Sequence, residues 1–269
     1  SKAAESCRRR RTVGTGGLSE RLGCIPLVHM RVLLISANTE TMNMQVVPWG
    51  LACVAAAVRQ AGHEVALVDL VADPDPRETV DRAIASLAPE AIGVSIRNID
   101  DQCRRDPHFL LGKVRGVVDA CRAASAAPIV LGGAGYSIFP EQALEFLGAD
   151  MGILGEGELA FPELLRCLAT DADLGAVPGL VQRGRGLVSP RRFSVLDALP
   201  QPDAEDLRRY LPAPDSFWLP FQTRRGCAIG CRYCSTGWIE GQSVRRRTPR
   251  SAVLALARRG ILPVLGNGD

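Results

Sequence analysis

The sequence predicts an α/β protein built on a doubly wound parallel sheet. Short, continuous apolar runs recur from residue 31 onward, and each is followed by a longer amphipathic segment. A strand that is apolar throughout, without polar alternation, is buried on both faces, and helices between such strands supply the cover. Gly and Pro punctuate the joints.

The elements follow in order. "RVLLISA" (31–37) is the first strand, and "WGLACVAAAVRQAG" (49–62) is a helix closed by Gly62 in the position after the cap, where glycine tolerates a left-handed backbone. "EVALVDL" (64–70), the helix "PRETVDRAIASLA" (76–88) and "AIGVSIR" (91–97) come next. Then come a helix over 112–124, "PIVLGGA" (128–134), a helix over 140–147, "MGILGEG" (151–157) and a helix over 158–169. Five strands thus fit 31–170. Ligands of such folds bind outside the carboxyl ends of the strands, so the informative residues are those that follow each strand.

Between 171 and 216 the pattern gives way to Pro, Gly and charge, as in "VPGLVQRGRGLVSPRRF". We read this segment as a linker with one short hairpin around "GRG". A second unit, 217–269, opens with an apolar strand, "FWLPFQTR" (217–224). Thr248 as N-cap and Pro249 at the first helical position start a helix to about Arg259, stopped by Gly260, and "ILPVL" (261–265) is a further strand.

Composition narrows the function. At 269 residues and 46% hydrophobic content the chain has material for one large or two ordinary domains. No stretch approaches the roughly 18 uninterrupted apolar residues of a membrane span. A net charge of +3 argues for no nucleic-acid partner. The basic run "RRRR" (8–11) lacks the apolar segment that would make it a secretory signal, so a cytoplasmic location is expected. Residues 1–29 carry no periodicity, and we expect Met30 to be the native start, with 1–29 a disordered or mis-called extension.

The nine cysteines form no disulfide framework. Three of them stand together in "RGCAIGCRYCSTGW" (225–238), as Cys227-x-x-x-Cys231-x-x-Cys234, at the carboxyl end of the 217–224 strand. A structural zinc site takes four ligands and would need a distant fourth here. Three thiolates at short spacing also suit an iron–sulfur cluster, leaving one iron of four open to a small molecule. Two dinucleotide-like patterns are weak: "GTGGL" (14–18) precedes every strand, and the glutamates of "GEGELA" (155–160) repel a pyrophosphate.

The three-cysteine spacing with Tyr233 before its last member resembles the radical S-adenosylmethionine enzymes. With "QTRRG" before it and "STGWIEGQSVRRRTP" after, it is similar to the subgroup that carries an N-terminal cobalamin-binding domain. The resemblance implies a flavodoxin-like first domain over 30–170, then the first βα unit of a partial TIM-like barrel, incomplete within 217–269. It implies that Cys227, Cys231 and Cys234 hold a 4Fe-4S cluster whose open iron binds S-adenosylmethionine beside Tyr233. Cleavage of S-adenosylmethionine to a 5′-deoxyadenosyl radical would then abstract hydrogen from the substrate.

In the first domain, Ser95 in "GVSIRN" and Gly132 and Gly133 in "LGGAGYS" match the family's turns after the third and fourth strands. Gly135, with Arg97 and Asn98 of "SIRNIDD" and Gly155, Glu156 and Gly157 of "GEGELAF", are the further cobalamin contacts that the resemblance implies. A Gly133→Val change is expected to exclude the cobalamin tail. The Asp-x-His-x-x-Gly loop is absent after the first strand, which reads "NTETMNM", so the resemblance implies cobalamin without a histidine below cobalt. His108 reads as a surface histidine and His63 as structural. Small-molecule C-methylation or related radical chemistry is expected, with a flavodoxin or ferredoxin as electron donor, and the chain as an amino-terminal piece. The alternative is a non-catalytic corrinoid-binding module with a decayed barrel.

Overall fold

The computed structural model describes residues 28–40, 47–71, 73–101, 103–208, 210 and 221–257. Its first half is a regular alternation: β1 (Arg31–Ser36), α1 (Trp49–Gln60), β2 (Glu64–Asp69), α2 (Pro76–Leu87), β3 (Ala91–Ser95), α3 (Leu111–Ala124), β4 (Ile129–Gly132), α4 (Pro140–Leu147), β5 (Met151–Ile153) and α5 (Gly157–Thr170). The strands lie in the order β2-β1-β3-β4-β5, all parallel. This is the flavodoxin-like order, whose switch point falls between β1 and β3.

The continuous apolar runs are explained by the two cores they feed. Successive residues of a strand point to opposite faces. Val32 and Leu34 therefore enter one core with Leu51 and Val58 of α1 and Phe161 and Leu164 of α5. Leu33 and Ile35 enter the other with Ile84 of α2, Val117 of α3 and Leu144 of α4. Buried alanines of α1, Ala52, Ala55 and Ala56, let that helix approach the sheet closely. Helix ends follow local chemistry. Asp75 caps α2 by accepting the Glu78 amide at 3.0 Å ahead of Pro76, and Gly62 after α1 takes a φ of 93°.

The segment read as a linker contributes to the sheet. The expected hairpin is present as β6 (Leu180–Gln182) and β7 (Gly186–Leu187), and β6 pairs antiparallel with β5, making a seven-stranded sheet. Leu180 and Val181 are buried in the two cores, so these strands are part of the domain rather than a tether. The short α6 (Ala204–Arg208) is held to α1 by Arg59, which meets Asp206 at 2.6 Å and Asp203 at 2.9 Å.

The second unit differs from expectation where it is described. Residues 217–220 and 258–269, including the 261–265 strand, lie outside the described residues. Phe221 to Thr223 are irregular. Only β8 (Arg224–Arg225) is strand, and it pairs antiparallel with β9 (Arg245–Arg246), which follows α7 (Thr236–Glu240). The last helix, α8 (Pro249–Ala257), starts as expected: the Thr248 hydroxyl accepts the Ser251 amide at 3.2 Å.

Candidate functional site

A cavity of about 620 Å³ opens at the carboxyl ends of the parallel strands. Ser36 ends β1 in it, Ser95 ends β3, and Gly132 ends β4. Arg97 and Gly133 extend these walls, and the β5–α5 turn contributes Gly155, Glu156 and Gly157. Gly93 deepens the floor: a methyl group there would lie 2.6 Å from Leu34 and 3.1 Å from the Phe161 ring. Gly132 has the opposite surroundings, with nothing within 4 Å of an added Cβ, so its missing side chain leaves open space for a ligand.

Two residues expected at this site lie elsewhere. Gly135 is packed under the β3 loop, where an added Cβ would lie 2.9 Å from the Arg97 carbonyl, and its amide donates to the Ile96 carbonyl at 2.9 Å. Asn98 lines a small hollow with Asn38 and Lys113. The β3 and β4 loops cross at this point, and the crossing takes both residues away from the cavity. Gly133 does line it, but its φ is +96° and an added Cβ would lie 2.5 Å from the Ile96 carbonyl. The backbone crossing, before any ligand, requires glycine there.

The opposite wall comes from the cysteine unit, through Phe221 to Arg225 and Ile239 to Glu240. Phe221 meets Trp49 edge to face, with ring centroids 6.3 Å apart. Arg225 is buried and pairs with two buried carboxylates, Glu156 at 3.2 Å and Glu158. Arg245 also reaches Glu156, at 2.7 Å. Burial opposes the Arg225 charge most strongly of any single cause, but the Glu158 and Glu156 carboxylates together hold the guanidinium above its usual range. Glu156, expected as a cofactor contact, thus lines the cavity while serving as an ion-pair partner. Glu158, Arg225 and Arg245 carry no sequence signal for this role, because Glu158 and Arg225 are 67 residues apart, Arg245 pairs with Glu156 across a still longer stretch, and no local pattern links them.

The cysteine loop is closed by its own backbone. The Cys227 amide donates to the Gly241 carbonyl at 3.0 Å and the Cys234 amide to the Cys231 carbonyl at 3.1 Å, and the Glu240 side-chain carboxylate accepts the Gly226 amide at 2.9 Å. Gly226 is obligatory, since an added Cβ would sit 2.1 Å from the Ser243 carbonyl. All three thiols are free. The Thr236 hydroxyl, 3.3 Å from the Cys234 sulfur, favours its thiolate and lowers its pKa. The donor types suit a soft metal or an iron–sulfur cluster. Among the described residues, however, no three His, Cys, Asp or Glu side chains are gathered into a metal site, so ligation requires the thiols to turn toward one point. Tyr233 is 92% exposed on this loop.

None of the three histidines lines the cavity. His63 is buried at the other end of the sheet, accepting the Met30 amide at 3.2 Å, and His108 is an exposed loop residue 3.0 Å from Asp101. No helix among the described residues is long and apolar enough to cross a membrane.

Comparison with known proteins agrees with this architecture. The B12 binding domain model matches residues 35–165. The chain is 31% identical over 156 residues to the tryptophan 2-C-methyltransferase of Streptomyces laurentii, covering 56% of this chain and 26% of that protein. It is 27% identical to an uncharacterized methyltransferase of Pyrococcus horikoshii, covering 84% and 50%. Among solved structures it is similar to the radical S-adenosylmethionine methyltransferase TsrM from Kitasatospora setae, determined with cobalamin and a 4Fe-4S cluster bound. The TM-score is 0.73 at 25% identity, over 86% of this chain and 46% of that one. The chain spans half or less of the length of these relatives.

Proposed function

We propose, from the match of residues 35–165 to the B12 binding domain model, that this chain binds a cobalamin in the cavity between the sheet and the cysteine unit, as the amino-terminal part of a cobalamin-dependent radical S-adenosylmethionine methyltransferase. In this reading 30–170 together with the β6–β7 hairpin is the cobalamin-binding unit, the rest of 171–216 joins it to the next, and 217–269 opens the radical unit. Cys227, Cys231 and Cys234 hold the 4Fe-4S cluster, with Tyr233 beside S-adenosylmethionine. When bound, the cluster and S-adenosylmethionine supply one-electron radical chemistry, and the cobalamin supplies a transferable methyl group. The chain's own residues bind and enclose: Gly132 leaves room, Ser36 and Ser95 offer hydroxyls, and Arg97 offers a cation at the rim. The substrate is a small molecule, and a flavodoxin or ferredoxin delivers the electron.

The observation that carries this reading is that one cavity has the strand ends of the segment matching the B12 binding domain model on one side and the segments flanking the cysteine loop on the other. The test is anaerobic reconstitution with iron, sulfide and hydroxocobalamin, followed by absorption spectroscopy and metal quantification. About four irons per chain together with bound cobalamin are expected. Cys231→Ala should lose the iron and keep the cobalamin. Cobalamin without iron in the unaltered chain would identify a corrinoid-binding module instead, and stoichiometric zinc without sulfide would exclude the cluster.

A further inference from the structure

Two contacts bracket the cysteine loop, one ending on the β5–α5 turn and the other reaching it through Ser137. Before the loop, Arg225 inserts its guanidinium between Glu156 and Glu158, with Nε donating to Gln222 at 2.7 Å. Its cross-strand partner Arg245 also holds Glu156. After the loop, Trp238 Nε1 donates to the Ser137 carbonyl at 3.0 Å. The Ser137 hydroxyl then donates to the Gly133 carbonyl at 2.9 Å and accepts the Gly155 amide at 3.0 Å. The two brackets therefore converge on Gly155 to Glu158, which is itself a wall of the cavity.

Buried ion pairs are a poor source of stability, because desolvation offsets most of their attraction. They are nonetheless directional: from one orientation the planar Arg225 fork donates to Glu158 and ion-pairs with Glu156. We propose that Arg225 and Trp238 are positioning residues that fix the cysteine loop against the β5–α5 turn, so that the order of the loop depends on the state of the cavity wall. The dependence on the cavity rests on the cobalamin reading above, whereas the bracket itself is a property of the chain without cofactors.

Hydrogen–deuterium exchange of the cofactor-free chain, read by mass spectrometry, tests the bracket. In Arg225→Met and in Trp238→Phe, amides of 226–241 should exchange on the order of tenfold faster while those of β1 to β5 keep their rates. Unchanged rates in 226–241, or acceleration spread equally through the sheet in both variants, would overturn it. Trp238 is half exposed, so its variant decides the matter if Arg225→Met fails to fold. Hydroxocobalamin is then added. Exchange in 226–241 should slow in the unaltered chain and not in either variant. Cobalamin bound without any slowing sinks the coupling to the cavity. No cobalamin bound sinks the functional reading and the coupling that rests on it, leaving the bracket to be judged by the cofactor-free rates.

Discussion

Gly132 and Gly133 stand side by side at the end of β4, and a methyl group added to each meets different surroundings: nothing within 4 Å at the first, the Ile96 backbone at 2.5 Å at the second. Gly132→Val should therefore weaken hydroxocobalamin binding by about tenfold or more, by overfilling the cavity, while leaving the melting temperature unchanged. Gly133→Val should instead lower stability by roughly 3 kcal/mol, since a β-branched residue at positive φ adds strain to the clash. Titration and urea unfolding of both variants separate the two effects. A stable Gly133→Val protein with weakened binding would restore the simpler expectation that this glycine makes room for the ligand. The pair was visible in the sequence as a candidate site, but the division of work was not, because it depends on a loop crossing between residues far apart in the chain.

Secondary-structure elements were legible in proportion to how much of their burial is local. Four of the five parallel strands, β1, β3, β4 and β5, announce themselves as apolar runs because nearly every residue is covered whichever way it points, whereas edge strand β2 is only partly buried. Asp75 caps α2 ahead of Pro76, and Asp75→Ala should cost about 1 kcal/mol in urea unfolding; an unchanged midpoint would mean that the Glu78 amide finds another acceptor. β6 was harder to see. Its three residues pair with β5 in antiparallel sense and are too few to show a period, so the surrounding Pro, Gly and charge dominated the reading. The strand expected over 217–224 shrinks, where described, to Arg224 and Arg225. Phe221 and Gln222 line the cavity instead.

Across the whole molecule, the tight core should set an alkaline limit. Burial pushes the Cys121 thiol up from 9.0 to about 12, aided by Asp81, and raises the Tyr136 hydroxyl as well. A raised folded-state pKa gives stability that is complete below the unfolded value and is lost as pH climbs through the folded one. The melting temperature should thus hold to about pH 9 and fall between 9 and 12. A flat profile across that window, followed by circular dichroism, would contradict the burial of these groups. The ion pairs across the cavity carry a consequence in time. Glu158 waits for a partner 67 residues further along the chain, which at ordinary rates of synthesis emerges roughly 3–13 s later. The strand-end wall of the cavity is therefore synthesised before the facing wall exists, and until residues 221–240 emerge the cleft is open on that side.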